Sequence, residues 1–320
     1  MRNYLVLIWV LCFLSCNDDS KLINEIENIS IDFEIDRFDS LFKNATSKDL
    51  PKLKKSYPFL FSAKVPDSIY INRMTDSLQN VVLNEVESEF TNSDKLHSEI
   101  SLLFKYLKYY DKSFTVPRVI TLTNNVAYRD RTIVTDTLVL IALDNYLGDS
   151  HRFYTESDIP MYLAKNFKSE QIVSDLAGDY AEKYNYQKNR KTLLDEMIYF
   201  GKLLYFKDVV LPFKTDAEKI GYTEDELKWA EANESPIWSY FIEKEMLYST
   251  DSTLPNRFIA DAPFTKFYLE LDNESPGRLG QYIGWQIVRA YAETTDKGVL
   301  NIMQTEAEEI FRKSKFKPKK

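Results

Sequence analysis

The chain has 320 residues, 49 of them acidic and 41 basic, for a net charge of −8. That balance disfavours nucleic acid as a partner and disfavours broad adhesion to anionic lipid. Its two cysteines, Cys12 and Cys16, both fall near the amino terminus, so the body has no disulfide, no thiolate nucleophile and no thiolate metal site. Eight glycines and eleven prolines against 21 Tyr and 20 Phe indicate long helices, few tight hairpins and a core rich in rings.

The apolar run from Tyr4 to Leu14 follows a start carrying Arg2 and ends at Ser15-Cys16. It is too short to cross a bilayer, which needs ~20 apolar residues, and reads as a secretory signal peptide. A small residue before a cysteine at the end of such a run is the bacterial lipoprotein pattern; an ordinary signal peptide with an incidental cysteine is the alternative. Cleavage makes Cys16 the lipid attachment site, carrying palmitate or similar chains. Several acyl chains anchor stably, because each buried methylene contributes ~0.8 kcal/mol. The reading is a signal peptide over 1–15, a polar tether over 16–27 and one domain over 28–320. Loss of Arg2 leaves 49 acidic against 40 basic residues, a charge of −9.

Ile29, Ile31, Phe33 and Ile35 alternate with polar residues, as in a half-buried strand. From Asp67 to Phe90 the apolar period is helical through Ile71, Met74, Leu78, Val82 and Val86. A second helix is expected from Ser98 to Tyr110. The runs 118–123 and 137–143, with a short 132–134 stretch between them, are β-branched and suggest a small antiparallel sheet with the 137–143 run central. Beyond Asp158 the pattern is helical: Glu170 to Tyr184, Thr192 to Phe206, Thr223 to Ala232, Pro236 to Tyr248, a helix opened by Ser275-Pro276, and Val299 to Lys313. Thr192 with Asp195 is close to a capping box. The fold class is α+β, mostly helical, with a small antiparallel sheet. The basic end, Arg312 to Lys320, is either a solvated tail or a docking patch for an acidic partner or lipid headgroups.

Chemistry is sparse. His97 and His151 lie far apart, without partners at metal-ligand spacing. No nucleophile elbow, phosphate loop or dinucleotide fingerprint occurs. Asp195 and Tyr199 stand four apart with Glu196 between them, the geometry of the zinc-protease motif His-Glu-x-x-His with both histidines replaced. The plain reading is a capped amphipathic helix with Met197 in the core. In Asp272-Asn-Glu-Ser-Pro-Gly-Arg278 and the helix after it, Gly280 and Gly284 imply close helix packing, since each interior glycine costs ~1 kcal/mol. Glu274, Arg278 and Arg289 could frame a polar pocket there, or serve only as surface ion pairs.

These motifs together resemble the GldB-type gliding-motility lipoproteins. The likeness runs through Arg37-Phe38-Asp39, Leu143-Asp-Asn-Tyr-Leu-Gly148, Asp195-Glu-Met-Ile-Tyr199, Ile220-Gly-Tyr-Thr-Glu224, Asn233-Glu-Ser-Pro-Ile-Trp238, Asn273-Glu-Ser-Pro-Gly-Arg278 and the Phe311 to Lys320 tail. The resemblance implies an accessory envelope lipoprotein needed for gliding and its associated secretion machinery, with no enzymatic activity and no cofactor beyond the lipid on Cys16. Its expected partners are a membrane, reached through that lipid, and other envelope proteins. Its expected place is the outer membrane, facing the periplasm. A remoter similarity is to a zincin-like peptidase domain without its metal-binding histidines. It implies a degenerate cleft around Asp195, Glu196, Tyr199, Glu274, Arg278 and Trp285 that binds a partner. The alternative is a metal-dependent hydrolase using Glu196 as general base.

Overall fold

A computed structural model describes residues 21–268 and 272–319; the expected signal peptide and the expected lipid site Cys16 lie outside them. Residues 21–27, assigned to the tether in the sequence, are helical, and Ile26 is buried in the core. The strand expected over 29–35 is shorter. Only Ile35–Arg37 (β1) joins a ladder, while Ile31 and Phe33 pack half-buried on the core without strand pairing.

The sheet has four strands in the order β1-β2-β4-β3, with β2 at Arg118–Leu122, β3 at Thr132–Val134 and β4 at Leu138–Ala142. β4 is interior, as its apolar composition requires. The sheet is mixed, and this corrects the antiparallel expectation: β1 runs parallel to β2 and β2 parallel to β4, with only β3 antiparallel to β4. The reason lies in the connections. Parallel neighbours need a long crossover. Helices supply it between β1 and β2, and the chain returning through β3 on the far side of β4 supplies it between β2 and β4.

At the end of β4, Asp144 is fully buried and accepts the backbone N–H groups of Asn124 at 3.1 Å and Val126 at 2.8 Å. The turn it holds puts Asn125 and Val126 at φ 60° and 57°. Left-handed backbone is costly for a β-branched residue, so the buried carboxylate is what fixes this turn.

The single helix expected from Asp67 to Phe90 is two, Asp67–Thr75 and Ser77–Glu89. Asp76 is extended between them and caps the second by accepting the N–H of Gln79 at 2.7 Å. The break resets the buried face, leaving Leu78 exposed and burying Leu83 and Val86. Other boundaries also move: the helix expected from Ser98 starts at Asp94, and the one expected over Pro236 to Tyr248 spans Glu234–Glu243. The helix expected to open at Ser275-Pro276 begins at Leu279, because Arg278 adopts φ 60° as its N-cap. The closing helix divides into Val299–Met303 and Ala307–Ser314.

Two large apolar clusters meet on Leu193–Val210, called here the central helix. Its start carries a full capping box between Thr192 and Asp195. The Leu279–Ala292 helix packs along it. A Cβ on Gly284 would fall on the Met197 carbonyl, and one on Gly201 on the Gly284 backbone. These glycines let two backbones touch, which is the packing the sequence implied. Lys202, also on the central helix, is fully buried. Its ammonium donates to the carbonyls of Tyr186 at 3.0 Å, Met303 at 3.1 Å and Thr305 at 3.2 Å, the last two at the break between the closing helices. No helix among the described residues is long and apolar enough to cross a membrane.

Candidate functional site

The capping box begins the local geometry at the start of the central helix. The Asp195 carboxylate accepts the N–H groups of Thr192 at 2.9 Å and Lys191 at 3.0 Å, which commits it to the helix end. Glu196 is gripped by Arg190, whose Nε lies 2.9 Å and Nη2 2.5 Å from the two carboxylate oxygens. The same guanidinium sits 3.6 Å from the Tyr199 ring centroid. Arg190 therefore joins Glu196 to Tyr199.

The other expected residues lie with different partners. Trp285 is fully buried, and its Nε1 donates to Asp208 at 2.8 Å. Arg289 donates twice to the same carboxylate, each at 2.7 Å, and stacks 3.7 Å from the Trp285 ring centroid. Arg278 donates to the Gly221 carbonyl at 3.1 Å and pairs with Asp261 at 3.3 Å. Glu274 is exposed in the Asp272–Glu274 turn. No contact joins Glu196 to Arg278. His97 stacks on Phe33 at 4.5 Å, and His151 caps the Arg152–Glu156 helix. Among the described residues, no group of three or more His, Cys, Asp or Glu is placed to hold a metal ion.

A second constellation was missed in the sequence. Where β3, the Ile172–Tyr184 helix and the central helix meet, a cavity of about 230 Å³ is lined by Arg129, Arg131, Asp175, Asp179, Lys207 and Arg278, with other residues. Asp175 is its hub. It accepts two guanidinium bonds from Arg131, at 2.6 and 2.8 Å, and one from the Tyr146 hydroxyl at 2.8 Å. Burial opposes its ionisation, but Arg131 outweighs that and holds the carboxyl below the usual carboxylate range.

Asp179, one helical turn on, has no such cation at bonding distance. Its Oδ2 is buried without a hydrogen-bond partner, and burial pushes its pKa up to about 7. Lys207 enters from the central helix and donates only to neutral oxygens, Ser174 Oγ at 3.1 Å and the Lys219 carbonyl at 3.0 Å. Burial pushes its pKa down to about 8. Two groups that exchange protons near neutrality thus line one cavity, an arrangement suited to acid–base work or to ion recognition. The sequence signal was available: Asp175 and Asp179 share a helix face beside Gly178, and Lys207 interrupts an apolar helix.

Comparison with known proteins gives one family. The model of the family described as gliding motility protein GldB matches residues 19–318. No curated protein and no solved structure matches the chain.

Proposed function

The chain belongs to the gliding motility protein GldB family, and on that premise we propose that it is a lipid-anchored envelope factor that supports gliding by binding other envelope proteins. Lipid on Cys16 holds it to a membrane, in this reading the outer membrane on its periplasmic side. Confinement to that surface raises its effective concentration near motility and secretion components.

The observation that carries a binding rather than a hydrolytic role is the state of Glu196. A general base needs a carboxylate free to take a proton from water. Both Glu196 oxygens are instead held by one guanidinium, which is itself stacked on Tyr199. Asp195 and Trp285 have their polar atoms engaged inside the fold. Of the six residues expected in the cleft, exposed Glu274 and Glu196, the latter together with its partner Arg190, are therefore the groups best placed to meet a partner.

The tests use both cells and purified protein. Cys16→Ser should abolish palmitate incorporation and gliding together; gliding at full speed without incorporated lipid would remove the anchor from the account. Glu196→Gln keeps the shape of the side chain and should leave the purified protein without any chelator-sensitive peptide cleavage to lose. Cleavage by the native chain that disappears in this variant would overturn the binding role in favour of hydrolysis.

A further inference from the structure

We propose that the cavity between β3, the Ile172–Tyr184 helix and the central helix binds an anionic group, a carboxylate or a phosphate carried on a larger molecule. The charges lining it do not close among themselves. Arg131 is matched by Asp175, and Lys219 by Asp208 and Asp216. Lys207 has no carboxylate at bonding distance; both its acceptors are neutral. Arg129, exposed beside it, stacks on Tyr128 at 5.6 Å and makes no ion pair. Arg278 completes the cationic side, its own acid Asp261 standing outward and more than half exposed.

The acids do not cancel this excess: Glu182, the third carboxylate lining the cavity, is exposed to water at its rim. Asp175 is already saturated by Arg131 and Tyr146. Asp179 is held partly protonated near neutral pH by its burial, so it can donate a hydrogen bond to an anion rather than repel it. A buried ammonium with a spare N–H is expensive, and an incoming oxyanion supplies the missing acceptor. Gly178 lines the cavity next to it, where even a Cβ would reach only ordinary contact, 3.6 Å from Lys207 Nζ.

Size limits the ligand. A pocket for a whole drug-sized molecule measures roughly 300–1,000 Å³. A cavity of about 230 Å³ takes one charged group and leaves the rest of its molecule outside.

The experiment is titration calorimetry on the full chain in detergent, with inorganic phosphate in one arm and acetate in the other, at fixed ionic strength. Binding in either arm is expected and tells which oxyanion the ligand carries. Arg129→Gln, at the exposed rim where folding is not at stake, should weaken it by roughly tenfold, the size of one charge-assisted hydrogen bond. Lys207→Met should remove it. Lys54→Gln, at a surface pair remote from the cavity, should change nothing. Absence of binding in both arms would overturn the proposal, as would binding indifferent to Arg129→Gln or weakened equally by Lys54→Gln.

Discussion

Replacement of Lys202 by methionine separates two opposing terms within one side chain. The substitution keeps the length and removes the ammonium. Met303's carbonyl keeps a second donor, the Tyr186 N–H at 3.2 Å. The carbonyls of Tyr186 and Thr305 lose the donor Lys202 gives them, at about 1–3 kcal/mol each. Against this, burial pushes the Lys202 pKa from 10.5 down to about 8. Keeping it charged near pH 7 therefore costs about 3 kcal/mol, at 1.36 kcal/mol per pKa unit. The two terms nearly offset near neutrality, so Lys202→Met should lose only about 1–2 kcal/mol there.

The diagnostic is the pH dependence. Between about 8 and 10.5 the unfolded chain holds a proton on Lys202 that the folded chain has released. Native stability therefore rises with pH through that window, and falls as pH drops through 8. The neutral amine still has two N–H groups for the Tyr186 and Thr305 carbonyls. The gap between native and variant should thus widen by about 2.5 kcal/mol from neutral pH to about pH 10. Urea unfolding of both proteins at the two pH values, read as midpoint and slope, measures it. A gap that stays constant, or narrows as pH rises, would refute the reasoning.

Gly284→Ala gains ~1 kcal/mol of helix propensity but drives a Cβ into the Met197 carbonyl; a net loss of about 2 kcal/mol or more is expected in denaturant midpoints. Asp179 has its folded pKa raised from 3.8 to about 7, so its contribution is complete below pH 3.8 and is lost as pH rises through 7. Asp179→Asn should flatten that part of the stability–pH curve, and an unchanged curve would count against the assignment. Asp144→Asn turns an amide donor toward the N–H groups of Asn124 or Val126; faster amide exchange at both residues, with a loss of about 1–3 kcal/mol, is the expected result.

What the sequence disclosed was local. The Thr192 cap follows from an oxygen-bearing side chain three residues ahead of an acid, and the structure has a capping box there. The glycine packing at Gly284 was legible because interior glycines need a reason. Strand direction was not legible. Alternation and β-branching place a strand but say nothing of which neighbour it meets, and the parallel pairs here join segments as far as 84 residues apart in the chain, as Ile35 with Val119 shows. The break at Asp76 lay hidden inside an unbroken apolar period. The charged cavity was illegible for the same reason as the sheet: Arg131, Asp175, Lys207 and Arg278 come from separate stretches and meet only through packing. A lysine within an apolar helix was a visible signal, at both 202 and 207: Lys202 proved fully buried and Lys207 half-buried, each bonded to carbonyl oxygens.

The early burial of Ile26 bears on how freely a moored body could move. Only five peptide steps separate Cys16 from Lys21, where the helical 21–27 segment begins. Fully stretched, they reach ~17 Å, and the headgroup zone of one leaflet alone takes up roughly 5–8 Å of that. In the lipid-anchored reading proposed above, the protein would ride against the lipid surface with the 21–27 side turned toward it. Any partner would then have to come within about a protein's radius of the membrane to be met, which favours components embedded in that same sheet of lipid.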